Sequence, residues 1–374
     1  MAFVPHPLPR SVTLSSSLVY RLDRASRAAA TLAGVGETLP NPHLLIRPFL
    51  RREAVLSSRI EGTQASMSDV FLFEASGARP DRGADVREVI NYVHALEHGL
   101  ARLETLPLCV RLTDEMHAIL LEGVRGEDKT PGKLRTRQVW IGSEGTLIHD
   151  SRFIPPPADL VRDLLTDWEQ FLNEDLEMPP LVRCALMHYQ FEAIHPYLDG
   201  NGRIGRLLIV LLLCAERVLP TPLLYLSDYF ERNRKEYSDQ LYNVSATGQW
   251  EPWLRFFFDG VAEQADDAVL RSRRIRQLQE QYRDRLQQQR ASGNALRLLD
   301  ELFANPYMTT PLASRRLGVT PAGARLILER LAKARIVEVL PGNWPRFYVA
   351  RELLEAIEAP VAMHAEDKYA ADNA

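Results

Sequence analysis

HPYLDGNGRIGR, from His195 to Arg206, sets a histidine, a carboxylate, a Gly-Asn-Gly turn and two arginines in one short run. Pro196 disfavours helix at His195, so the helical stretch upstream ends there and leaves the imidazole on a loop. A new apolar-periodic run starts near Gly202, so that loop opens onto a helix N-terminus. Unpaired backbone N–H groups and the positive end of the helix dipole lie at such a terminus. Gly200 and Gly202 let an anion approach the main chain without a Cβ in the way.

Each side chain takes a role from its own chemistry. His195 is the one group in the run that accepts a proton near neutral pH, hence the candidate general base. Asp199 is a hard oxygen ligand, suited to a magnesium ion that keeps most of its waters and bridges phosphates. Asn201 offers a neutral hydrogen bond to a phosphate oxygen. Arg203 and Arg206, three apart, share a helix face and present forked donors to successive phosphates. The run holds no nucleophile, so the acceptor hydroxyl comes from a second substrate and catalysis rests on positioning and charge. A bare DGNG would read as a Gly-Asn turn between helices with solvated arginines; histidine, carboxylate and arginines in register argue for the site.

The stretch resembles the Fic-domain signature HPFx(D/E)GNGRxxR, with Tyr197 where the family usually has Phe. Resemblance continues upstream in HYQFEAIHP and LRTRQVWIGSEGTLIHDSRFIPPP and downstream in YFERNRKEYSDQLYNVSATGQWEPWLRFF, covering most of residues 1 to 285. It implies transfer of AMP from ATP to a hydroxyl side chain of a target protein, with pyrophosphate leaving. By resemblance His195 deprotonates that hydroxyl and Asp199 carries Mg2+. Asn201 and the amides of Gly200 and Gly202 hold the α-phosphate; Arg203 and Arg206 hold the β- and γ-phosphates. Tyr237, Tyr242 and Asn243 fall where base contacts lie in the family, although tyrosines at helical spacing also serve as core. The segment 138–155 looks like the family's flap, a hairpin-like stretch with Gly142 and Gly145 in its turn. A target strand would dock on it by strand addition.

A second signal is REAVLSSRIEGTQAS, Arg52 to Ser66. Its pattern is helical, with Ala54, Val55, Ser58 and Ile60 able to face inward and Gly62 placed as a C-cap. Glu61, near the helix end, opposes the local dipole and so calls for a positive partner elsewhere. Ser57, Glu61 and Gly62 resemble the inhibitory motif (S/T)xxxE(G/N) of Fic proteins that carry their own inhibitor. Carried over, Glu61 pairs with Arg206, fills the γ-phosphate subsite and lowers basal activity. On spacing alone it is a surface glutamate beside a helix end.

The 374 residues suffice for two or three domains, and a net charge of −4 gives no global attraction to nucleic acid. Cys109, Cys184 and Cys214 are dispersed among apolar neighbours and read as reduced core thiols. MAFVPHPLPRSVTL has no apolar segment after a basic start, and LLIVLLLCA (Leu207 to Ala215) is too short to span a bilayer; a cytoplasmic protein without membrane contact is expected. No P-loop, HExxH or His/Cys cluster occurs. His188, two turns above His195, reads as a packed histidine.

Periodicity places helices over Ser17–Leu32, Leu45–Ile60, Val86–Leu103, Leu112–Leu121, Leu160–Asn173, Pro180–Ala193, Asn201–Val218 and Tyr225–Thr247. The fold class is mainly α: an all-helical core with a small β-hairpin flap, plus a C-terminal winged-helix domain. The expected organisation is a helical region 1–104 with the inhibitory helix at about 52–62, a catalytic core 105–270, a connecting helix 271–293, a winged helix 294–358 and a polar tail 359–374. In the winged helix, ALRLLDELF, TPLASRRLGV and a helix capped by Thr320 precede two strands about a Pro-Gly-Asn turn. Arg315, Arg316, Arg325, Arg330, Lys333 and Arg335 make segment 310–350 locally basic, which leaves DNA and a protein partner both open. A homodimer is also admitted. Two alternatives to AMP transfer stand: a Fic enzyme that uses another phosphate-containing donor or removes AMP, and a winged-helix regulator sensing nucleotide through an inert Fic domain.

Overall fold

The structure, a computed structural model, describes residues 2–37, 43–76, 83–142, 145–341 and 346–359. The chain is mainly α. Helices α1 (Ser16–Glu37), α2 (His43–Ile60), α3 (Met67–Ser76), α4 (Gly83–Arg102) and α5 (Val110–Leu120) come first. After a long loop follow α6 (Val161–Asn173), α7 (Pro180–Ile194), α8 (Asn201–Ala215), α9 (Ser227–Arg232), α10 (Arg234–Thr247) and the long α11 (Glu251–Gln288). The chain closes with α12 (Gly293–Ala304), β1 (Tyr307–Thr309), α13 (Thr310–Leu317), α14 (Pro321–Lys333), β2 (Glu338–Val339), β3 (Phe347–Val349) and α15 (Arg351–Glu358).

The residues divide into two compact units. One is drawn from Met1–Pro42, Glu53–Val70 and Arg79–Asp266, the other from His43–Arg52, Phe71–Ala78 and Asp267–Ala374. At the centre of the first lie α7 and α8, whose residues are apolar nearly all round. Leu207, Leu208, Ile209, Val210, Leu211, Leu212 and Leu213 of α8 are all buried, as befits a helix enclosed by others rather than one with a wet face. Burying such a leucine stabilises by about 2 kcal/mol. The short apolar run is thus a core helix. Among the described residues no helix is long and apolar enough to cross a membrane. All three cysteines are free; Cys109 and Cys184 are buried and Cys214 half-buried.

In the second unit a three-stranded antiparallel sheet has the order β1-β3-β2, with Met308 opposite Tyr348 and Val339 opposite the same residue. Thr309 and Thr320 accept backbone N–H bonds from Leu312 and Gly323, capping α13 and α14, and Gly318 ends α13 at φ 66°. Arg271 is buried and donates to the carbonyls of Ile357 and Ala359 as well as to Asp267.

Several expectations need correcting. The run Tyr225–Thr247 is two helices, because Asn233 leaves helical geometry (φ −110°, ψ 32°) and its side chain bonds back to the Tyr229 carbonyl. Helix α3 and strand β1 were not foreseen; both are short, and β1 is stabilised by pairing with β3 rather than by local propensity. The flap is present, with one antiparallel bridge, Ile141 to Phe153, among the described residues. Its residues 143–144, the residues 342–345 between β2 and β3, and the tail from 360 onward lie outside the described residues.

Candidate active site

Helix α7 ends at Ile194 because His195 adopts a left-handed conformation, φ 51° and ψ 63°, just before Pro196. That geometry costs about 1 kcal/mol for a residue with a Cβ, so the surroundings must hold it. Helix α8 starts at Asn201 after Gly200 takes φ 76°, a value glycine adopts freely. The Asn201 side chain closes the loop between them: Oδ1 accepts from the Tyr197 amide at 2.8 Å and Nδ2 donates to the Tyr197 carbonyl at 2.9 Å. Both polar ends of that side chain are therefore engaged inside the loop, which leaves its backbone N–H at the helix start.

Tyr197 fixes the loop from the other side. Its ring is fully buried, stacks on His117 at 3.9 Å between centroids, and its hydroxyl donates to Asp114 Oδ1 at 2.7 Å. His117 accepts the Gly132 N–H at Nδ1 (2.8 Å), so its Nε2–H donates to the Asp199 carbonyl (2.9 Å). Burial pulls the His117 pKa down to about 4, keeping it in this neutral tautomer. Asp199 itself is about a third exposed; Oδ1 receives the Gly200 N–H at 2.6 Å and lies 3.6 Å from Arg203.

The two motif arginines are buried and held by different acids. Arg203 Nη1 donates to Glu88 Oε2 at 3.3 Å, an oxygen that also takes the Thr63 hydroxyl at 3.0 Å. Arg206 donates from Nε to the Ser57 hydroxyl at 2.7 Å, and from Nη2 to the Ser57 carbonyl at 3.0 Å and to Glu61 Oε1 at 2.7 Å. Burial disfavours a charged Glu61, yet Arg206 outweighs it and holds the carboxyl below its usual range. In return Glu61 raises the Arg206 pKa against the opposing effect of burial. A Cβ at position 202 would collide with Glu61 Oε1, so Gly202 is what admits the carboxylate. Helix α2 delivers these groups: Ala54, Val55, Ser58 and Ile60 are buried, and Gly62 turns the chain at φ 94°.

A cleft of about 210 Å³ opens beside this cluster, lined by Glu61, His195, Gly202, Arg206, Tyr237 and Tyr242 among others. Burial lowers the His195 pKa to about 4, with Arg135 adding to the effect, so the imidazole is unprotonated at neutral pH. Its Nδ1 is sealed from solvent. Tyr237 lines the cleft with its ring, while its hydroxyl contacts His188 Nε2 at 2.7 Å and the ring stacks on Phe230 at 4.4 Å. His188 is wholly buried, its other nitrogen against the Gly205 carbonyl. Arg152 lies over the Tyr242 ring at 4.5 Å and pairs with Asp239 at 2.6 Å. Asn243 is exposed and is not among the cleft-lining residues.

Sequence reasoning did not single out Glu88, His117, Arg135, Glu53 or Glu192. Glu53 is buried and accepts from the hydroxyls of Tyr92 and Ser227. Glu192 borders the cleft, its Oε1 sealed off and without a partner among the described residues, and burial lifts its pKa to about 7, with Arg206 opposing the rise and Glu61 adding to it. It sits against α8 where Gly205 leaves room; a Cβ there would strike Glu192 Oε1.

Known proteins are similar to this chain in sequence and in fold. A family model described as Fic/DOC family N-terminal matches residues 19–101, and one described as Fic/DOC family matches residues 107–213. A protein adenylyltransferase fic-1 from Caenorhabditis briggsae is 28% identical over 223 residues, 57% of this chain and 39% of the relative. A protein adenylyltransferase Fic from Culex quinquefasciatus is 34% identical over 207 residues, 54% of this chain and 38% of the relative. The chain thus spans about two fifths of the length of these curated relatives. A Fic family protein from Desulfovibrio desulfuricans has the same fold over 91% of this chain and 97% of its own, with a TM-score of 0.60 at 20% identity. Since the two family matches cover Ser57 and Glu61 at the end of α2 as well as the loop bearing His195, the chain belongs to the Fic/DOC family.

Proposed function

We propose that the protein is an adenylyltransferase that moves AMP from ATP to a hydroxyl side chain of a target protein, and that it restrains itself through Glu61. The observation that carries this reading is the occupied fork of Arg206: Ser57 and Glu61 take the donors a terminal phosphate would use, beside a neutral histidine. The names of the curated relatives support the same chemistry.

In the step, His195 Nε2 takes the proton of the target hydroxyl. The freed oxygen bonds to the α-phosphorus, the bond from that phosphorus to the α,β-bridging oxygen breaks, and pyrophosphate leaves. The amides at the start of α8 receive the α-phosphate; Arg203 and, once Glu61 withdraws, Arg206 hold the others. Asp199, whose carboxylate is partly open to solvent, would hold a magnesium ion as a hard oxygen ligand. Bound there, Mg2+ would neutralise phosphate charge. The flap carries exposed Trp140, Ile141, Leu147 and Ile148, an apolar edge for a docking target strand. The test is incubation with labelled ATP in cell extract: Glu61→Gly should label strongly, His195→Ala not at all, and mass spectrometry should find added AMP. Another added group would move the reading to the alternative donor.

For the C-terminal unit we propose a winged helix that contacts DNA through α14. Arg325, Arg330 and Lys333 are exposed on it with Glu329 as the one opposing acid, and Leu326 stands 63% exposed between them. Mobility shift with duplex DNA tests it: Arg325→Glu with Arg330→Glu should abolish a salt-sensitive shift.

A further inference from the structure

Arg135 is 2% exposed, yet its guanidinium pairs with no carboxylate among the described residues. Its four side-chain hydrogen bonds all go to backbone carbonyls. Nε donates to His195 (2.8 Å), Nη2 to Pro156 (2.6 Å) and Ile194 (3.3 Å), and Nη1 to Arg137 (3.3 Å). Its own amide donates to the Pro196 carbonyl at 2.9 Å. Burial lowers its pKa to about 10, so it remains a cation at neutral pH.

The four side-chain acceptors fall into two pairs. Ile194 and His195 are the end of α7, where carbonyls lack helical partners and the dipole is negative, a natural seat for a cation. Arg137 and Pro156 are the two roots of the flap. Gln138 reinforces that second pair by donating to the Val139 and Pro155 carbonyls at 2.9 and 2.8 Å. A desolvated cation without a counter-ion is costly unless hydrogen bonds compensate it, and here each of the three nitrogens has an acceptor. Its grip falls on the peptide of the left-handed His195, the one backbone conformation in the loop that needs holding against strain.

We propose that Arg135 is a positioning residue that couples the flap to the catalytic histidine, so that a strand docked on the flap tightens the same carbonyl frame that fixes the His195 imidazole. This rests on the reading of His195 as the base. The charged groups facing the imidazole are Arg135, Glu61 and Asp199. Arg135 alone among them also touches the flap roots.

Two readouts need neither ATP nor target, so they stand even if AMP transfer fails: the pH titration of the His195 ring by NMR and hydrogen exchange at the Ile141 amide, which donates to Phe153. Arg135→Met should raise the His195 titration by about one pH unit, because a repelling cation is gone, and speed Ile141 exchange at least about tenfold. Arg135→Lys keeps the charge but loses the fork, so the titration should stay in place while exchange still accelerates. In a Glu61→Gly background both variants should lower kcat for labelling with little change in KM for ATP. Unmoved titration and exchange in the Met variant, or full rescue of both by Lys, would overturn the coupling. If neither variant folds, Arg135 serves folding alone and the proposal falls.

Discussion

Glu61 Oε1 lies 2.7 Å from Arg206 Nη2, though 145 positions separate the two residues. The arginine is buried and the glutamate a third exposed, so the carboxylate is the member of the pair that can leave. A phosphate that displaced it would inherit a preformed, charge-assisted donor. We therefore expect Glu61→Gly to raise incorporation of labelled AMP by about tenfold or more. Ser57→Ala removes the hydroxyl under Arg206 Nε but leaves the carbonyl bond, so its activation should be smaller. Equal activity in all three proteins, measured by gel autoradiography, contradicts the restraint.

Removal of the base separates chemistry from binding. His195→Ala in the Glu61→Gly background should lose a factor of about 10² to 10⁴ in rate. Nucleotide affinity, followed by calorimetry with a non-hydrolysable ATP, should persist because the phosphate donors lie on α8.

Acid should switch the enzyme off late. His195 is depressed to about 4 from an ordinary 6.5, so the base form survives well below neutrality. The acid limb of kcat/KM in the Glu61→Gly variant should lie at or below about pH 4, because Glu61 itself raises the His195 pKa. A limb near 6.5 would mean a solvated imidazole.

Glu192 gives a stability signature of opposite kind. Its folded pKa, about 7, exceeds the unfolded 4.5, so folding binds its proton more tightly. The stabilisation is complete below about 4.5 and is lost as pH rises through 7. Glu192→Gln should flatten that decline between pH 4.5 and 7 in urea denaturation. Glu61→Gly should move it to lower pH, because Glu61 helps hold Glu192 neutral.

Local signals were legible in the sequence and distant partners were not. Pro196, Gly200 and the apolar run after Gly202 place the loop and its helix within a few residues, since backbone preference and periodicity are local properties. The positive partner that Glu61's position calls for is likewise found, as Arg206. His117, Glu88 and Arg135 reach the loop from 60 to 115 positions away in chain order, and nothing in their own neighbourhoods announces it. Asn201 shows the same limit in reverse. Its identity suits phosphate, while the fold turns both polar atoms of its side chain inward. The break at Asn233 also escaped detection, because helical periodicity continues across it.

That inward turn of Asn201 has a consequence for energetics. With the loop laced to itself, the anion cradle is in place before any nucleotide arrives, and little conformational entropy remains to be lost on association. Occupancy is then governed by one side chain, Glu61, rather than by ordering of a segment. Any event that draws Glu61 aside, whether a substitution or a bound partner, should translate almost undiminished into tighter nucleotide affinity.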